Sequence, residues 1–335
     1  MKRMRLWGLL ALALLLAVGL FGCGNGNDNA GNAGNGNKAA NAGNAGNNDD
    51  GGKGKPGEEA AHTAYPLTVK DDSGTEITFD KAPQRVTTLA PSETEIAYAV
   101  GAGDLVVGVD NYSNYPEDAK SKPKVGDMNI NVEALIATKP DLVLAHYGLQ
   151  KEIVDKLRGM GIAVYATDPK TLDQVMAKIA AVGEILDKQA DAAKVTDKMA
   201  EEKRQVVEAV KDEPKKKVYM EFSAGWTVGD GEFMNELVQL AGGENVAAGK
   251  PGWYEIDPEA IIAANPEVIL YAEDDGEVGT TVVDGIKQRA GFDTIDAMKN
   301  GRLYGMDSDM ISRVGPRLTE ALKQMAEAIH PDAVQ

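Results

Sequence analysis

The stretch "NVEALIATKPDLVLA", Asn131 to Ala145, returns in altered form as "DPEAIIAANPEVILY", Asp257 to Tyr271. Glu133 falls on Glu259, Ala134 on Ala260, Ala137 on Ala263 and Pro140 on Pro266. Each copy reads as a short helix opened by an Asx cap, Asn131 or Asp257, and stopped near the proline. An almost wholly apolar run follows, "LVLA" or "VILY", the pattern of a strand buried on both faces of a parallel sheet. The chain therefore writes one αβ unit twice.

A second duplication lies upstream of each copy. "TEIAYAVGAGD" (Thr94 to Asp104) matches "NELVQLAGGEN" (Asn235 to Asn245), with Glu95 over Glu236 and Gly101 over Gly242, each a helix ended by glycine. The spacing here is wider, 236 − 95 = 141 against 259 − 133 = 126, so the first copy carries about 15 extra residues between its blocks, in "DNYSNYPEDAKSKPKVGD". Further strands are expected at Val86 to Ala90, Leu105 to Asp110, Ala163 to Thr167, Lys217 to Phe222 and Arg302 to Met306. The fold class is α/β: two similar lobes with mainly parallel sheets, joined by a single long helix, with a ligand cleft between them. The joining segment, Thr171 to Asp212, has helical period throughout, with Gly183 and "LDKQ" as its expected break.

Composition narrows the function classes. A chain of 335 residues, 43% hydrophobic, fills two cores, and its net charge of −17 repels phosphate backbones, which excludes nucleic acid as a partner. Lys2, Arg3 and Arg5 precede the apolar run Leu6 to Leu20, the pattern of an export signal. Cys23, the only cysteine, follows at once, so no disulfide forms within the chain. Beyond it, "NGNDNAGNAGNGNKAANAGNAGNN" has no apolar period and reads as a flexible spacer. The expected organisation is signal peptide 1–22, cysteine and Gly/Asn linker 23–62, N-terminal lobe 63–187, interlobe helix 188–212 and C-terminal lobe 213–335.

No enzyme motif is present: the sequence has no GxSxG, no GxxxxGK[ST], no HExxH and no cysteine cluster. "GAGDLVVG" (Gly101 to Gly108) follows a helix and opens a strand, the reverse of what a dinucleotide loop needs. In open α/β sheets ligands sit beyond the carboxyl ends of strands, and here those positions are rich in rings: Tyr112 and Tyr115, His146 and Tyr147, Trp226, and Trp253 ahead of the second Glu-bearing helix. Arg313 follows the last expected strand, with Met310 and Asp309 beside it. Few other arginines occupy such loops, which argues against a strongly anionic ligand.

"RVTTLAPSETEIAYAVGAGDLVVGVDNYSNYP", "VEALIATKPDLVLA" and "MISRVGPRL" together resemble the substrate-binding lipoproteins of ABC importers for metal chelates, closest to the cobalamin-binding branch, with iron-siderophore and heme relatives. "LFGC" likewise resembles a lipobox, implying acylation of Cys23 and anchoring on the outer face of the cell membrane. The resemblance implies a binding protein, not an enzyme, with no cofactor of its own and a rigid interlobe helix that allows little closure; a monomer is the default expectation. It implies that Glu133 and Glu259 dock into a permease dimer. It also places Tyr112, Trp226 and Trp253 as ring contacts and Arg313 as a polar contact, with Met310 adjacent. His146 stands where the cobalamin branch has a tryptophan, and the tryptophan expected near Asp127 is missing. The cargo is thus a cobalamin-type corrinoid or, alternatively, a ferric siderophore or heme, in which case His146 and Tyr147 approach the metal. A metal-dependent enzyme on a similar scaffold is the remote alternative.

Overall fold

A computed structural model of the chain describes residues 62–273 and 281–334. The expected signal, Cys23 and the Gly/Asn tract lie outside the described residues. An antiparallel hairpin comes first, β1 (Leu67–Lys70) with β2 (Glu76–Phe79), which the sequence reading did not anticipate. The N-terminal lobe continues with β3 (Val86–Thr88), α1 (Pro91–Ala99), β4 (Val106–Gly108), α2 (Val132–Ala137), β5 (Leu142–His146), α3 (Tyr147–Gly159) and β6 (Val164–Thr167). Two long helices follow, α4 (Leu172–Ile185) and α5 (Gln189–Val210). The C-terminal lobe holds β7 (Lys216–Glu221), β8 (Trp226–Val228), α6 (Phe233–Leu240), β9 (Gly243–Asn245), β10 (Trp253–Glu255), α7 (Pro258–Ala264), β11 (Val268–Glu273), α8 (Val282–Gln288), α9 (Asp296–Lys299), β12 (Leu303–Asp307), α10 (Ser308–Ser312) and α11 (Leu318–Ile329).

The duplication read from sequence is a duplication of topology. One sheet runs β4-β3-β5-β6 and the other β9-β7-β11-β12, every neighbouring pair parallel. The quoted units are α2 with β5 and α7 with β11, which occupy the same place in the two sheets. Asn131 Oδ1 accepts from the Ala134 N–H at 3.0 Å and Asp257 Oδ1 from the Glu259 N–H at 3.1 Å, so both caps form as expected. Even the exits agree, since Lys139 (φ 51°) and Asn265 (φ 50°) are both left-handed just before their prolines. The four residues Leu142–Ala145 of β5 are completely buried, as are Val268, Ile269 and Leu270 of β11, which explains why neither strand alternates polar with apolar.

The sequence placed the helix break at Gly183 or "LDKQ", and the structure chooses the latter. Asp187 takes a left-handed φ of 56°, and the Lys188 N–H closes the α4 end on the Gly183 carbonyl at 2.7 Å. Gly183 instead serves close packing. A Cβ there would lie 2.3 Å from the Ala192 Cβ, so glycine lets α5 lie directly against α4. At 22 residues, α5 is about 33 Å long. It packs on α4 and α1 of the first lobe and on α11 and α6 of the second. One continuous apolar core consequently runs through both lobes, including Ile96, Ile179, Met199, Val206, Leu237 and Leu322, with a separate cluster under the outer face of each sheet. No helix among the described residues is long and apolar enough to cross a membrane.

Candidate functional site

The carboxyl ends of the two sheets face a common cleft of about 620 Å³. Its walls begin where strands end: Ala90 to Ser92 after β3, His146 at the end of β5, Asp168 to Lys170 after β6, Phe222 after β7, and Asp309, Ser312 and Arg313 around α10. Four residues singled out in the sequence meet there, namely Tyr112, His146, Trp253 and Arg313. Trp253 is carried by the two-stranded antiparallel ribbon of β8 with β10 and packs edge-on against Phe222, with ring centroids 5.2 Å apart and planes at 75°. Tyr112, Leu149, Trp226 and Trp253 are among the exposed large hydrophobic side chains. An apolar rim of this kind marks a binding surface rather than a solvated one.

One end of the cleft is closed by a chain of ionic contacts. Lys170 Nζ lies 3.2 Å from Asp168 Oδ1 in its own lobe and 3.2 Å from Glu232 Oε2 in the other. A second contact crosses nearby, where the Leu172 N–H donates to Glu236 Oε2 at 2.6 Å. His146 Nε2 is 3.8 Å from Asp168 Oδ1, beyond hydrogen-bond range, and its Nδ1 is buried without a partner. Burial, aided by the Lys178 ammonium and opposed by Asp168, pushes the His146 imidazole down to about 4. The ring is neutral at pH 7. Lys178 itself is buried against Glu93 at 2.5 Å, joining α4 to α1 behind the cleft floor.

The other end is tied more heavily. Glu95 on α1, its side chain 2% exposed, receives Arg313 Nη1 at 2.8 Å on Oε1. Arg317 adds two prongs, Nη2 to Oε1 at 2.8 Å and Nε to Oε2 at 3.0 Å. Arg313 also meets Asp309 at 2.5 Å and the Asn114 side-chain oxygen at 2.8 Å. Arg313, expected as a polar contact, lines the cleft and also ties the lobe junction. Among the lining residues, Asp168, Glu232 and Asp309 face Lys170 and Arg313, so carboxylates outnumber cations three to two and neither cation lacks a carboxylate.

Three other expected contacts stand outside the cleft lining. Trp226 is 45% exposed and pairs with Glu255 across the β8–β10 ribbon, on the same face as Trp253. Tyr147 opens α3 and carries Lys151 over its ring at 5.8 Å. Met310 packs on the core, and its sulfur accepts from the Gln324 side chain at 3.8 Å. Glu133 and Glu259 are both exposed in the first turns of α2 and α7. Sequence reading missed Phe222, Asp168, Lys170 and Glu232. Asp168 and Lys170 follow an expected strand and Phe222 ends another, so the rule that found His146 reaches them as well. Glu95 and Glu236 were seen only as a matched pair; each proves to carry a contact across the lobe boundary.

Residues 86–310 match the family described as "Periplasmic binding protein". A curated relative from Bacillus subtilis strain 168, an uncharacterized ABC transporter substrate-binding lipoprotein, YvrC, is 34% identical over 99% of this chain and 98% of its own. The periplasmic vitamin B12 binding protein BtuF of Vibrio cholerae superposes with a TM-score of 0.68 at 26% identity, over 76% of this chain and 99% of that structure. The periplasmic heme-binding protein RhuT from Roseiflexus sp. RS-1 superposes with a TM-score of 0.67 at 27% identity, over 75% and 99%. These relatives are named as binding proteins, not enzymes.

Proposed function

The chain belongs to the periplasmic binding protein family, and from that premise we propose that it is the substrate-binding lipoprotein of an ABC importer that captures a cobalamin-type corrinoid between its lobes. The observation that carries the cargo is the charge of the cleft. Heme presents two carboxylates and many ferric siderophores are anionic, whereas the corrinoid periphery is largely neutral amides. A pocket whose two cations already face carboxylates offers an anionic ligand no free countercharge, but it offers amides both donors and acceptors. Trp253, Phe222 and Tyr112 supply the ring surface for a large flat macrocycle.

Lipid on Cys23 holds the protein at the extracytoplasmic face of the membrane, in keeping with the lipoprotein named as its relative. Delivery runs through Glu133 and Glu259, one on each lobe, docking as a monomer on the permease dimer. The test is titration of the purified chain with cyanocobalamin, following tryptophan fluorescence. Saturable one-to-one quenching is expected; no quenching overturns the cargo.

A second reading, heme or a ferric chelate, is favoured by His146. Its imidazole is neutral at pH 7, as a metal ligand must be, and the heme-binding relative shares the fold. Titration with hemin distinguishes it: a Soret shift lost in His146→Ala supports heme, and unchanged spectra exclude it.

A further inference from the structure

The extra residues of the first copy form a strap from Asp110 to Asp127, and the strap has two anchors in different lobes. On its own lobe, the buried Asp110 carboxylate accepts from the Tyr112 N–H at 2.8 Å and from the Ser113 hydroxyl, which also meets Thr94 Oγ1 at 2.6 Å. Lys124 Nζ binds the Ser113 and Asp110 carbonyls at 2.8 and 3.2 Å. On the opposite lobe, Asn114 accepts from Arg313 Nη1 at 2.8 Å and donates to Asp309 Oδ2 at 3.0 Å. Tyr115 adds its ring beneath the Arg317 guanidinium at 4.4 Å.

Tyr112 sits between these anchors. It is 65% exposed, lines the cleft, and is tethered on its lobe-one side, where Asp110 accepts from its N–H. Two residues further on, the chain is pinned to α10 of the other lobe. We propose that Asn114 is a positioning residue: by bonding Asp309 and Arg313 across the lobe junction, it holds Tyr112 against ligand only while the lobes remain joined. The inference rests on the reading of the cleft as the ligand site. It implies that anything prying the lobes apart at Arg313 also withdraws Tyr112, so that opening the junction and loosening the ligand are one event. The second copy has no counterpart, because its corresponding blocks lack the strap.

The test is a double-mutant cycle with cyanocobalamin on the full chain in detergent, paired with hydrogen exchange on the ligand-free protein. Asn114→Ala removes two bonds to charged groups, so it should weaken binding about tenfold. It should have no further effect in the Tyr112→Ala background, because Asn114 acts through that ring. The unfolding midpoint should move by less than about 2 °C. Independent, additive losses from the two substitutions overturn the proposal, as does a loss of affinity that tracks loss of thermal stability. Should the unmodified protein not bind cyanocobalamin, the cargo assignment fails, and the exchange arm alone decides the strap. Amides of residues 111–115 exchanging about tenfold faster in Asn114→Ala, with the rest of the chain unchanged, support it. Equal exchange overturns it.

Discussion

Glu95 and Arg317 meet across the lobe boundary in a two-pronged ion pair, with contacts of 2.8 and 3.0 Å and a carboxylate only 2% exposed. Arg313 shares the same carboxylate. Removing one member of such a group leaves the other charges buried without compensation, which costs about 3–5 kcal/mol. Glu95→Ala sets two guanidinium groups together and should lower unfolding free energy by that amount in urea denaturation. The exposed pair Glu201 with Arg204 is the control: Glu201→Gln should leave the midpoint in place.

His146 makes stability depend on pH in a defined direction. Its folded value of about 4 lies below the ordinary 6.5, so between those limits the unfolded chain binds the proton and the native chain does not. Stability from this group is therefore present at pH 7 and declines as pH falls through 6.5, by about 2 kcal/mol on reaching pH 5. Urea denaturation at pH 7 and pH 5 should show that loss in the native protein, and His146→Leu should reduce it by a similar amount. An equal pH effect in both proteins would assign the dependence to other groups.

The fold was legible in the sequence because it is written twice. The apolar runs after Pro140 and Pro266 cannot be anything but doubly buried strands, and their common caps fixed the αβ order of both lobes. The rule of strand ends likewise carried His146 and Arg313 to the cleft. It failed where a residue's role depends on a partner far along the chain. Arg313 was read from its own loop, and nothing local announces that Glu95, more than two hundred positions earlier, shares its guanidinium. Trp226 and Trp253 were indistinguishable in sequence, and their register puts both on one face of the β8–β10 ribbon, so only the cleft lining and the Phe222 contact separate them. Gly183 was taken as a helix breaker because glycine has two uses, and close packing on Ala192 leaves no local sign.

Glu133 and Glu259 hold equivalent places in the first turns of α2 and α7, exposed and away from the cleft lining. Charges placed symmetrically on two lobes suit a partner with two equivalent mouths, and the docking role proposed for them acts on association with that partner, not on cargo affinity. In cells, Glu133→Ala combined with Glu259→Ala should abolish uptake of labelled cobalamin, while the purified double variant binds it as tightly as the parent. Uptake at the parental rate would remove the docking role.

Trp253 and Trp226 share a face of the β8–β10 ribbon, but only Trp253 lines the cleft and packs edge-on against Phe222. An exposed aromatic side chain that ligand covers in this way carries about 2 kcal/mol or more of binding energy, a roughly 30-fold change in Kd. Trp253→Ala should therefore weaken cyanocobalamin binding by at least that factor, and Trp226→Ala by less than about threefold. The fluorescence change on binding should follow the same division, surviving in Trp226→Ala and largely lost in Trp253→Ala. Equal losses from both substitutions would mean that bound ligand extends over the rim to Trp226, widening the site beyond the 620 Å³ cleft.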